Sequence, residues 1–91
     1  MNVRYTDTAY SELAEIGAYI ATKNAIAATL VLTRINKLAT LLSQFPHAGR
    51  ATTNSIVRLL VVRPYAYLIF YTCTENEIII RNIRHSKRER P

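Results

Sequence analysis

The residues with the widest chemical reach in this sequence are its basic side chains, its two histidines and its six tyrosines. Arg58, Arg81, Arg84, His85, Lys87, Arg88 and Arg90 fall in the second half of the chain, within or just after segments that read as strands. Guanidinium groups gathered on a sheet bind phosphate, and they stabilise the charge that develops when RNA is cut. The same residues also read as rim charges of a basic surface, or as contacts to an acidic partner. Arg58 is separated from the last strand by the middle one, yet it is expected to share a face with either Arg81 or Arg84.

The tyrosines admit two uses. Tyr65, Tyr67 and Tyr71 alternate along one segment and so share a face. Such a face stacks on bases in some RNA binders. More often it is core, with hydroxyls reaching the rim, and these three tyrosines are expected to be core. Tyr5, Tyr10 and Tyr19 are expected to pack a helical hairpin. Cys73 reads as a small buried hydrophobe.

Other site chemistries lack their residues. His47 and His85 are far apart in sequence, and no Cys/His spacing suits zinc, so neither a metal nor a cofactor is expected. The six acids are scattered without an evident pair for acid/base work. Gly17 and Gly49 are the only glycines, which leaves no phosphate-cradling loop. Ser11, Ser43, Ser55 and Ser86 lack the setting of a nucleophile elbow.

The elements that must carry these residues can be read from spacing. Asn2–Tyr5 alternates like an edge strand. Thr6, Asp7 and Thr8 offer N-cap oxygens, and Ala9, Leu13, Ile16 and Ile20 then mark one face of a helix. Gly17 inside it suggests close approach of a second helix, or a tolerated weak spot. Lys23 and Asn24 break the pattern, and Asn24 caps a second helix running to about Gln44. Its apolar seam is Ala28, Val31, Ile35, Leu38, Leu42 and Phe45, widened by Leu30, Leu32 and Leu41. Pro46, Gly49 and the run Arg50–Asn54 read as a loop. Ile56–Val62, Tyr65–Cys73 and Glu77–Arg84 read as three strands, joined at Arg63-Pro64 and at Thr74–Asn76. The fold class is therefore α+β: an N-terminal short strand, then an antiparallel helical hairpin packed on a C-terminal three-stranded antiparallel sheet, in the order β-α-α-β-β-β. One hairpin covers one sheet face, so the other face, or a groove beside it, is expected to stay open to a partner.

Bulk properties set the frame. At 91 residues the chain is expected to form a single domain, residues 1–91. It is 49% hydrophobic and 20% charged, which suits a globular fold. No apolar run approaches the ~18 residues of a membrane span. The first ten residues lack the pattern of a signal peptide, and the single cysteine allows no internal disulfide, so a cytoplasmic protein is expected. The net charge of +6 favours an acidic partner: nucleic acid, a nucleic-acid-bound enzyme or an acidic protein.

Five segments, in order, resemble the RelE/ParE toxin family over nearly the whole chain. They are Tyr5 with the Ala9, Leu13, Ile16, Tyr19-Ile20 helix; Leu41-Leu42…Phe45-Pro46…Gly49-Arg50; Val57–Val61 with its Arg58; Tyr65…Ile69-Phe70-Tyr71; and Ile78–Ile83 followed by His85-Ser86-Lys87-Arg88. Within that family, RelE-like members cut mRNA on the ribosome with basic residues and a C-terminal tyrosine or histidine–tyrosine pair. The nearest equivalents here are Arg58, Arg81 and His85, but no tyrosine follows Tyr71. The short close after the last strand is similar to the ParE branch, whose members are not enzymes but poison DNA gyrase and block replication.

The resemblance implies a gyrase-inhibiting toxin without catalytic residues. It also implies a ParD-like antitoxin whose C-terminal segment folds onto the toxin in a hetero-oligomer. The target contact is expected at Arg81, Arg84, His85, Lys87, Arg88 and Arg90. The antitoxin contact is expected at Leu30, Arg34, Leu41, Arg58, Leu60 and Val62. The alternatives are a ribosome-dependent endoribonuclease using Arg58, Arg81 and His85, and a non-toxic relative kept to bind antitoxin.

Overall fold

A computed structural model of the chain describes residues 1–89. The chain opens with β1 (Asn2–Tyr5), and Thr6 then starts the first helix by a direct hydrogen bond: its hydroxyl accepts the Ala9 N–H at 3.0 Å. Asn24 does the same for the second helix, its Oδ1 accepting the Ala27 N–H at 3.0 Å. Caps of this kind stabilise a helix by about 1 kcal/mol each. They delimit α1 (Asp7–Ala21) and α2 (Ala25–Leu41). The second helix thus ends at Leu41 rather than near Gln44, and turn hydrogen bonds carry residues 42–45 off its axis.

The remaining elements are β2 (Arg50–Ala51), β3 (Arg58–Val62), β4 (Tyr67–Cys73), β5 (Glu77–His85) and a 3-10 turn at Ser86–Glu89. They make a five-stranded sheet in the order β1-β5-β4-β3-β2. The expected meander is its centre, with β3, β4 and β5 antiparallel in sequence. Both edges extend it. β1 pairs parallel with β5, and Arg50 and Ala51, expected in a loop, pair with Leu59 and Arg58. Two of the strands start later than expected, β3 at Arg58 and β4 at Tyr67. Before β3, the Thr52 hydroxyl and the Asn54 side chain bond to neighbouring backbone and hold residues 52–57 in a turn.

Directly paired residues of neighbouring strands project from the same face. One face thus carries Val3, Tyr5, Leu60, Val62, Tyr67, Ile69, Tyr71, Ile78, Ile80 and Ile83, and these pack with Ala9, Val31, Ile35, Ala39 and Leu42 of the hairpin side. Packing these side chains needs tight helices: a Cβ on Gly17 would lie 2.8 Å from Leu32 Cδ1, so close approach of α1 and α2 is what this glycine permits. Tyr65, Tyr67 and Tyr71 are on the core side. Tyr10 and Tyr19, expected to pack the hairpin, are exposed instead, as is Phe45. Tyr10 lies one residue beyond Ala9 and off the stripe, while Phe45 follows the end of α2 and leaves its seam.

A register shift opposite Phe70 and Tyr71 makes Arg81 an extra residue in β5. Such a bulge reverses which residues face the core. Ile78 and Ile80 face the hairpin before it, and Ile83 and His85 after it. Among the described residues, no helix is long and apolar enough to cross a membrane.

Candidate functional site

The basic residues do not form one cluster. Arg58 pairs across the strands with Tyr71 and so lies on the hairpin side, at its rim. Its Nη1 donates to the Gly49 carbonyl at 2.6 Å. Tyr71 is fully buried, and its hydroxyl accepts the Gly49 N–H at 2.9 Å and donates to the Pro46 carbonyl at 2.7 Å. Burial pushes the Tyr71 hydroxyl above its ordinary value, while the Gly49 N–H and the Arg58 charge pull the other way. This tyrosine and arginine fasten the Pro46–Gly49 turn to the sheet. A hydroxyl held in that way is occupied by backbone and is poorly placed for proton transfer to a substrate.

Arg81 lies on the other face. Its Nε donates to the Thr72 hydroxyl at 3.2 Å, and Thr72 is buried opposite Ile79 on the side away from the helices. The expectation that Arg58 shares a face with Arg81 or Arg84 is therefore not met: Arg58 points to the hairpin side, while Arg81 and Arg84 belong to the opposite pairing rows. The bulge at Arg81 is the reason, because it breaks the two-residue alternation from which a common face is inferred.

Arg84 and His85 sit where β5 outruns β1. Past Tyr5, no strand among the described residues lies beside the edge of β5, and Glu12 of α1 fills the gap. Its Oε1 accepts the Ile83 N–H at 3.0 Å and the Asn82 amide at 3.2 Å, and its Oε2 lies 3.6 Å from Arg84 Nε. His85 meets the Tyr67 ring edge-on, with centroids 5.2 Å apart, and its Nδ1 accepts the Lys87 N–H at 3.2 Å. Glu12, Ile16, Tyr19, Tyr67, His85 and Lys87 border a groove between α1 and the end of β5. The Arg88 side chain and Arg90 lie outside the described residues. Among the described residues no group of three His, Cys, Asp or Glu side chains could hold a metal ion.

The residues expected at the antitoxin contact divide in two. Leu30 and Leu41 are 56% and 41% exposed on the outer side of α2, with Arg34 beside them donating from Nε to the Arg63 carbonyl at 2.8 Å. Leu60 and Val62 point beneath the hairpin, and Val62 is completely buried. Val62 thus offers no side-chain surface to a partner: the face of β3 that carries it is the covered one. Its neighbours Leu59 and Val61 lie on the open face.

Two of three further residues of interest escaped the sequence. Glu12 is one acid amid α1, and nothing local announces that it will plug a strand edge. Arg50 was hidden in an apparent loop. Phe70 was legible, because alternation through Tyr67, Ile69 and Tyr71 must place it on the opposite face.

Comparison with known proteins agrees with this architecture. The family described as the ParE toxin of the type II toxin–antitoxin system, parDE, matches residues 3–90. Toxin RelE2 of Caulobacter vibrioides is 33% identical over 86 residues, 94% of this chain and 96% of that protein. Y4kP of Sinorhizobium fredii, which bears a provisional toxin name, is 32% identical over 89 residues, 98% of this chain and 92% of that protein. A solved structure of the chromosomal ParDE system from P. aeruginosa superposes with a TM-score of 0.82 at 23% identity, covering 93% of this chain and 95% of that one, and so shares its fold. By the match of its sequence to that family, the chain belongs to the ParE toxins of type II toxin–antitoxin systems.

Proposed function

We propose that this toxin acts by binding rather than by catalysis, inhibiting DNA gyrase in the cytoplasm and so stopping replication until a ParD-like antitoxin neutralises it. The observation that carries this reading is the dispersal of the ribonuclease set. Arg58 is tied to the Gly49 carbonyl on one face, Arg81 to Thr72 on the other, and His85 packs on Tyr67 at the end of β5. Acid/base cleavage of RNA needs its proton donor, its acceptor and its charge-stabilising cations around one phosphate. This arrangement favours a surface that holds a target over a site that transforms one. The single domain spanning residues 1–91 presents Arg81, Arg84, His85 and Lys87 at its basic end, followed by Arg88 and Arg90, as the contact with the target.

The test is plasmid supercoiling by gyrase with the purified, folded protein and ATP. Accumulated linear DNA or lost supercoiling is expected. Unchanged gyrase activity would shift the assignment to the ribosome, where the Caulobacter relative named RelE2 makes mRNA cleavage during translation the next assay.

The antitoxin contact follows from exposure and charge. Leu30 and Leu41 stand out from α2, a helix that carries Arg34 and Lys37 and no acidic residue. Such a face suits an acidic amphipathic helix in a toxin–antitoxin hetero-oligomer. Leu30→Glu with Leu41→Glu should leave stability within about 1 kcal/mol, because both sites are exposed, and should abolish antitoxin capture in a pull-down. Undiminished capture would move the contact off α2.

A further inference from the structure

The face of the sheet turned away from the hairpin has an order of its own. Register pairs Arg50 with Leu59, Leu59 with Phe70, and Phe70 with Asn82. These four residues form one row across β2, β3, β4 and β5, with the bulged Arg81 beside Asn82. Strands lie about 4.8 Å apart, so the row spans roughly 14 Å. Arg50 and Arg81 are exposed at its two ends. Leu59 and Leu68 form a buried floor, and half-buried Phe70 lies between the arginines. Thr52 and Thr53 edge the groove above Leu59 and Phe70.

Charge decides what such a row would hold. Among the described residues the ion pairs are Arg4–Glu77 and Arg84–Glu12, so neither Arg50 nor Arg81 has a carboxylate partner. Arg81 is aimed by a neutral hydroxyl, that of Thr72. The whole chain carries a net +6. Both cations of the row are arginines, whose planar forks match phosphate oxygens in pairs. An aromatic flanked by two phosphate-matching forks, with the Thr53 hydroxyl at the groove edge, is complementary to an unpaired base between two phosphates. A duplex hides its bases and cannot use Phe70.

We propose that this row binds single-stranded nucleic acid, with a base lying on Phe70 and the flanking phosphates held by Arg50 and Arg81. The contact is made by the toxin alone and does not depend on which enzyme it inhibits.

Fluorescence anisotropy of the full chain with labelled oligo-dT and oligo-U, over a series of salt concentrations, tests it. Both oligonucleotides should bind at low salt. With at least two phosphates neutralised, the slope of log K against log salt should be about −1.4 or steeper. Arg50→Ala and Arg81→Ala should each make the slope shallower by about 0.7. Phe70→Leu should weaken binding by about tenfold while leaving the slope unchanged, since stacking releases no counterions. Lys23→Ala, at an exposed position between α1 and α2, should change neither quantity. Tighter binding of oligo-dT would identify DNA as the natural source, and tighter binding of oligo-U would identify RNA; either supports the proposal. Three results would overturn it: no binding of either strand by folded protein; binding that survives all three substitutions in the row; and saturable binding of poly-glutamate without oligonucleotide binding, which would assign the face to an acidic protein.

Discussion

Replacing Tyr71 by Phe removes one oxygen and strands two backbone groups. The Gly49 N–H is buried and bonds the Tyr71 hydroxyl at 2.9 Å, so losing that acceptor costs about 1–3 kcal/mol. The Pro46 carbonyl, bonded at 2.7 Å, is only half-buried, and water replaces part of what it loses. The ring itself stays, so no cavity larger than a hydroxyl opens. The sum is about 2 kcal/mol, a large fraction of the stability of about 5–14 kcal/mol expected for this length. Urea unfolding followed by circular dichroism reads it directly. With an m-value near 1 kcal/mol/M the midpoint should fall by about 2 M, and Tm by about 10 °C. Tyr65→Phe is the matched control. Tyr65 packs on the same core, but among the described residues its hydroxyl has no hydrogen-bond partner, so the change should stay within about 0.5 kcal/mol. If Tyr71→Phe is as mild as Tyr65→Phe, the hydroxyl does not anchor the Pro46–Gly49 turn, and Tyr71 and Arg58 do not together fasten that turn to the sheet.

The remaining predictions use the same unfolding assay. A Cβ on Gly49 would lie 2.8 Å from Tyr71 Oη and 2.9 Å from the Leu59 carbonyl, neither of which can move freely, so Gly49→Ala should cost about 2 kcal/mol or more. Gly17→Ala meets only the rotatable end of Leu32 and gains about 1 kcal/mol of helix propensity, so it should fall within about 1 kcal/mol of wild type; equal losses at the two glycines would contradict the geometry. Glu12→Ala should cost about 2 kcal/mol, because it strips a charged acceptor from the Ile83 N–H, and Glu12→Gln should restore part of it; a larger loss for Gln than for Ala would reverse the argument. Burial raises both Tyr71 and Tyr5 above their ordinary 10.0, so above pH 10 the native state holds protons that the unfolded chain has released. Unfolding free energy should then be level below about pH 10 and fall as pH rises beyond it, less steeply in Tyr71→Phe; a rise in stability over that range would refute the sign.

How much of this molecule the sequence disclosed depends on the range of the interaction involved. Helix starts at Thr6 and Asn24 were legible because a cap is written within three residues. The core faces of α1 and α2 and the three central strands were legible because periodicity is local as well. What escaped was set by contacts distant in the chain. Arg50 joins the sheet because Tyr71 and Arg58, 21 and 8 positions later, hold Gly49 in line with β3. Glu12 meets Ile83 across a separation of 71 residues, only because β1 is too short to cover the end of β5. The bulge at Arg81 illustrates the limit most sharply. Strand alternation assigns Arg58, Arg81 and Arg84 to faces two by two, and one extra residue in β5 changes the assignment without leaving a mark on the sequence. The arginines that sequence reasoning would gather into a catalytic group are thus separated by the sheet itself. Arg81 instead shares the open face with Arg50, an arginine that sequence reasoning left in a loop.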